Sequence, residues 1–268
     1  MIKGIKQIYE YRELLISLIS KTLNARYKGS FLGFLWTFIN PLMHLLIYAF
    51  VFQVIFRVQE QNYTMLLFVA LLPWTGFSSA LMSSMTSVTG HANLVKKIYF
   101  PRMILPLSVS LTYIIDYLYC IPILLLAMFM SHLPFTRWIL LFPAVLLIHF
   151  VFQTGLCLAI SAINVRYRDT KQIIGIATMA WFYFTPILYK MSMIPESWTL
   201  MGVNLNPRTM IVLLNPMTGI MSGYRASFFH GQAPDAISII AAVAWAVIAL
   251  VVGWIVFNKF EKTFAEDL

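Results

Sequence analysis

Six apolar stretches, 32–56, 63–84, 104–129, 138–163, 172–189 and 236–257, constrain this chain more than any motif does. Five of them carry no charged residue and the third carries only Asp116. The hydrocarbon core of a bilayer is about 30 Å thick and is crossed by about 20 helical residues, whose backbone groups must all be satisfied within the helix. A soluble core offers no alternative home for these stretches, because 60% of the 268 residues are hydrophobic and only 11% are charged. The sequence therefore predicts an all-α integral membrane protein with six spans. The segment 190–235 is apolar too, but Pro195, Gly202, Pro207, Pro216, Gly219, Gly223 and Gly231 interrupt it. It reads as short re-entrant or interfacial helices between the fifth and sixth spans. The expected division is a cytoplasmic interfacial helix over 1–30 and one transmembrane domain over 31–268.

Charge placement sets the orientation. With the N-terminus in the cytoplasm, fourteen of the nineteen Lys and Arg residues fall on the cytoplasmic side and five (Arg57, Arg137, Lys190, Arg208 and Arg225) on the other. Both termini are thus expected inside. The net charge of +9 does not point to nucleic acid, since the basic residues sit mostly between the apolar stretches. Residues 1–30 carry charges throughout and lack the continuous apolar core of a cleavable signal.

Over 5–25, Ile5, Ile8, Tyr9, Leu15, Ile16, Ile19 and Leu23 fall near one face of a helix, with Lys6, Glu10, Glu13 and Lys21 largely opposite. Such a helix lies along a membrane surface, either as an anchor or as a lever at a substrate entrance. Arg26, Tyr27 and Lys28 follow at headgroup depth. Their charges fit simple positive-inside anchoring, or a grip on a lipid phosphate.

Two further basic segments face the same side. HANLVKKIYFPR, 91–102, is a short amphipathic stretch stopped by Pro101, and it reads as a small helix that presents Lys96, Lys97 and Tyr99 to a soluble partner, where an ordinary positive-inside loop is the plain alternative. NVRYRDTKQ, 164–172, packs four charges into nine residues, and an Arg168–Asp169 pair there is expected to be local.

No phosphate-binding loop, zinc-protease motif or nucleophile elbow occurs, so no catalytic centre and no metal site are expected in this chain. The five histidines are scattered singly, and His44 and His149 within spans read as packing residues. Cys120 and Cys157 lie inside apolar runs and read as packing residues rather than a disulfide. Asp116 inside a span costs on the order of 3 kcal/mol unless it faces the bundle interior. It suits a helix–helix hydrogen bond, or the proton site of a secondary transporter or channel. Asn40, Pro41 and His44 interrupt an otherwise smooth first span, as a tolerated kink or as part of a substrate path. Trp74, Phe77, Tyr117, Trp181, Tyr183 and Phe184 lie in or near span ends, where aromatics either belt the interface or offer flat faces to sugars.

Four motifs then appear in order: RYKGSFLGFLWTFINPLMHLLIYAFVF, NVRYRDTKQI, TPILYKMSMIP and LNPMTGIMSGYRASFFHG. Together they resemble the permease subunits of ABC-2 type exporters that move lipid-linked teichoic acid, O-antigen or capsular polysaccharide. The resemblance implies a homodimer with a channel between its protomers, bound to two copies of a cytoplasmic P-loop ATPase that holds ATP and Mg. It assigns Asn93, Lys96, Lys97, Tyr99, Phe100 and Arg102, together with Arg166, Arg168 and Asp169, to contact with that ATPase. It places Arg26, Lys28, Asn40 and His44 at the entrance for a lipid-linked headgroup, and the six aromatics along the channel. Among the polymers, wall teichoic acid is the expectation.

Overall fold

A computed structural model describes residues 2–27, 29, 31–58, 61–200 and 203–268. Helices α1 (Ile2–Glu10) and α2 (Arg12–Tyr27) open the chain, and α3 (Trp36–Ala49) follows. A 3-10 turn before α3 and a π-helical turn after it extend that rod to Gly33–Ile55. Then come α4 (Tyr63–Met85), α5 (Ala92–Lys97), α6 (Ile104–Met130), α7 (Phe142–Arg166) and α8 (Thr170–Phe184). A hairpin of β1 (Trp198–Leu200) and β2 (Val203–Leu205), α9 (Pro207–Leu214), α10 (Pro216–Arg225), α11 (Ala236–Glu261) and α12 (Phe264–Asp267) complete it.

Among the described residues, five helices are long and apolar enough to cross a membrane: Gly33–Ile55, α4, α6, Arg137–Arg166 (α7 with its leading turn) and α11. The expected fifth stretch, 172–189, is only partly helical. Its helix α8 has 15 residues, about 22 Å at 1.5 Å per residue, and falls short of the core thickness. Pro186 explains the early stop: the residue before a proline is driven out of the helical region, and Thr185 sits at φ −92°, ψ 135°. Pro41, by contrast, is carried inside α3 without ending it.

Within 190–235 the sequence led to helices alone. The structure has α9 and α10, but it also has the antiparallel hairpin, with Trp198 opposite Leu205 and Thr199 opposite Asn204. The Thr199 hydroxyl donates to Asn204 Oδ1 at 2.7 Å across the pair. Three residues per strand are too few to show a period-two pattern in the sequence.

The core surrounds α4, which packs against α3, α6, α7, α8 and α10 and is the most buried of the long helices. Polar contacts tie the bundle together where lipid could not satisfy them. Gln153 donates to the Ser110 carbonyl at 3.0 Å, and Asn164 to the Met85 carbonyl at 2.9 Å. The His149 ring nitrogen meets the Tyr224 hydroxyl at 3.0 Å, and both cysteines are free and buried. The α7–α11 contact is closest: a Cβ added to Gly155 would overlap the backbone of Ala249, and one added to Gly253 would overlap that of Gly155.

A second cluster closes the α5 end. Leu18 of α2 packs there with Val95, Phe100, Met103, Ile104, Phe257 and Phe264. The N-terminal helices are thus docked on protein through Ile8, Tyr11, Leu14, Leu15 and Leu18, while Tyr9 and Ile16 of the expected apolar face point outward.

Candidate functional site

Three helices build an open recess of about 580 Å³ in the middle of the bundle. Helix α3 contributes Thr37, Asn40 and His44; α4 contributes Thr75, Gly76 and Ser79; α6 contributes Tyr113, Asp116, Tyr117 and Cys120. Within each helix these residues are adjacent or three to four apart, so each helix turns one face toward the same space. Asn40, His44, Asp116 and Tyr117, singled out separately in the sequence, are brought together here. The Tyr117 hydroxyl is buried without a hydrogen-bond partner. Thr37, Thr75 and Ser79 were not singled out; Thr37 stands one turn before Asn40, a signal the sequence carries, whereas nothing in the sequence ties Thr75 and Ser79 of α4 to the residues of α3 and α6.

His44 and Thr75 also border a second recess of about 390 Å³ between α3, α4 and α8, lined by Tyr48, Trp74, Thr178 and Tyr183 among others. The two recesses therefore adjoin. Trp74 and Trp181 meet edge to face at 6.3 Å, Phe77 stacks on Phe152 at 5.8 Å, and Tyr117 meets Tyr224 at 5.5 Å. Of the six expected channel aromatics, Trp74, Phe77 and Tyr117 are buried, Trp181 is half-buried, and Tyr183 and Phe184 are exposed. Phe77 has no exposed surface, packed against Trp74, Phe152 and Trp181, so it occupies a core position and not a lining one. Trp181 is fixed by its indole N–H, which donates to Asn215 Oδ1 at 2.8 Å.

At the α5 end of the bundle, Asn93, Lys96, Lys97 and Tyr99 stand exposed, and Tyr99 is 88% exposed. Phe100 does not join them: it is buried in the second cluster at 4% exposure, and holds the segment rather than displaying a ring. Arg102 is half-buried and donates to the backbone carbonyl of Glu261 at 2.6 Å. Arg166 at the end of α7, and Arg168 and Asp169 beyond it, are exposed, and the ion pairs among the described residues do not include the expected local Arg168–Asp169 pair. Of Arg26 only the helical backbone is described, and Lys28 lies outside the described residues.

A polar recess inside an apolar bundle, with a basic, aromatic-tipped face at one end, suits passage of a polar molecule and contact with a soluble partner. Residues 13–229 match the model of the ABC-2 type transporter family. The chain belongs to that family. This ABC-2 transporter is also similar along its whole length to the "O-antigen export system permease protein RfbA" of Myxococcus xanthus, with 36% identity over 269 residues and all of both chains covered. Two proteins of the same description from Klebsiella pneumoniae are each 34% identical over 260 residues, covering 96% of this ABC-2 transporter and 95% of the relatives.

Proposed function

We propose that this chain is the membrane permease of an ATP-driven exporter that carries a lipid-linked cell-surface polysaccharide of the O-antigen kind across the bacterial cytoplasmic membrane. The observation that carries the reading is the full-length similarity to three proteins named as O-antigen export permeases. The wall teichoic acid expected from sequence has no comparable support, and the O-antigen class takes its place.

Two protomers would enclose the path, each with both termini in the cytoplasm. Two copies of a separate ATPase would bind ATP and Mg and seat against Lys96, Lys97 and Tyr99 of the α5 segment and against Arg166, Arg168 and Asp169. Helix α8, continued by the turn at 185–189, would serve as a short sixth span, and α9 and α10 as re-entrant helices that line the outer end. Asn40, His44 and Tyr117 in the recess would meet the polar part of the substrate as it enters, with Arg26 and Lys28 near its phosphates. Tyr183 and Phe184 would give sugar rings a flat apolar surface.

Proteoliposomes holding this chain and its ATPase test the reading. Transport should require ATP and persist when the proton gradient is collapsed, and Asp116→Asn should keep most of it. Asp116 lines the recess and could instead serve a proton-coupled carrier. Export by the chain alone, driven by a proton gradient and lost in Asp116→Asn, would establish that carrier and reject the exporter.

A further inference from the structure

At the end of the bundle away from α5, a separate recess of about 510 Å³ opens between α10, the start of α11 and the loop that follows α8. One face of α10 lines it with Thr218, Ser222 and Arg225, four and then three residues apart. Thr218 is 1% exposed and Arg225 is 6% exposed. The terminal nitrogens of Arg225 donate to the carbonyl oxygens of Pro186 at 2.6 Å and Ile187 at 2.7 Å. These bonds lock the guanidinium in place and leave its Nε–H without an acceptor. The Thr218 hydroxyl is also buried without a partner. Two such groups on one lining face are costly to keep unless something entering the recess satisfies them.

The charges around the recess narrow what that is. Lys190 lines it as a second cation. Burial first, and then the charges of Arg225 and Lys190, hold the His230 imidazole below its usual range. Asp235 is the carboxylate of the lining, but Ser238 donates to its Oδ2 through both the backbone N–H, at 2.9 Å, and the hydroxyl, at 2.8 Å. Those bonds lower its carboxyl and commit it to capping α11. The buried polar groups left unmet in the lining, the Arg225 Nε–H and the Thr218 hydroxyl, can both donate to an anion, in a volume of small-molecule size.

We propose that this recess binds an anionic oxygen group, a carboxylate or phosphate carried on a sugar-sized ligand, with Lys190, Arg225 and Thr218 as its contacts. It lies apart from the central recess and does not depend on the exporter reading.

Calorimetric titration of the full chain in detergent with glucuronate, glucose 1-phosphate, inorganic phosphate and glucose tests it. Glucuronate and glucose 1-phosphate should bind and glucose should not, and whichever of the two binds more tightly identifies a carboxylate or a phosphate as the natural group. Lys190→Gln should weaken that binding roughly tenfold by removing a charge-assisted contact. Thr218→Val keeps the side-chain shape and removes a hydroxyl that has no partner, so it should leave the melting temperature unchanged or higher while weakening binding severalfold. Equal binding of glucose, binding of inorganic phosphate alone, no binding, or acidic-sugar binding unchanged in both variants would each overturn the proposal.

Discussion

Helices α7 and α11 meet backbone to backbone, whereas the Gly33–Ile55 rod has only 6% of its most apolar window buried. Both are apolar enough to sit in lipid, so hydrophobicity does not distinguish them. Side-chain size does. Gly155 and Gly253 let two helices approach until main-chain atoms touch, the closest packing that small residues allow. Met43, Leu46, Ile47 and Phe50 on the rod, and Ile173, Ile176, Met179 and Phe184 on α8, are large and point outward. The first pair makes a fixed unit from one chain. The second face is free to meet lipid or another copy of the chain, and it borders the recesses that hold Asn40 and His44.

The largest effect should come from attacking the fixed side. Gly253→Leu pushes a side chain into the α7 backbone, and a loss above about 4 kcal/mol is expected, enough that little monodisperse protein is recovered from detergent. Recovery at the unsubstituted level would mean that α7 and α11 do not cross as described. Next is Phe100→Ala, which empties a buried site and should cost about 3–5 kcal/mol in thermal unfolding. Arg102→Gln removes a charged donor from the Glu261 carbonyl and should cost about 1.5–3 kcal/mol, with the C-terminal helix becoming more sensitive to protease.

On the open side, Met179→Ala should stay within about 0.5 kcal/mol of the starting stability. Met179→Cys should form a disulfide-linked dimer in membranes under mild oxidant if this face meets another copy; monomer alone would mean that it faces lipid. Tyr99→Ala should likewise leave stability nearly unchanged, yet abolish the stimulation of the partner ATPase by substrate. Full stimulation in that variant would exclude Tyr99 from the docking face.

How far the sequence disclosed this arrangement depends on what each feature rests on. Hydropathy located the five long helices to within a few residues, because a run of apolar side chains is a property of the run itself. It overran α8, since Ile187 and Leu188 raise the apolar count while Pro186 stops the helix, and the local rule was the stronger one. The short helix α5 was legible from its amphipathic pattern ahead of Pro101. Which of its two neighbouring rings would be buried was not: Tyr99 and Phe100 differ in exposure because the fold sets Leu18, Phe257 and Phe264 beneath only one of them. The central recess was partly legible, as single polar residues. Its assembly needs α3, α4 and α6 side by side, and spacing within one helix does not say which helices are neighbours. The hairpin gave no warning at all.

The anchoring of the α5 segment has a mechanical consequence. Phe100 is embedded beneath it, Arg102 grips the last residue of α11, and Leu18 of α2 shares the same packing. Helix α11 in turn is interlocked with α7 along the glycine crossing. A force applied at Tyr99 is therefore not absorbed by a soft loop. It passes into α11 and α7 as a single stiff lever, and the strain it produces collects where stiffness is lowest, along the sparsely packed rod and the recess it borders.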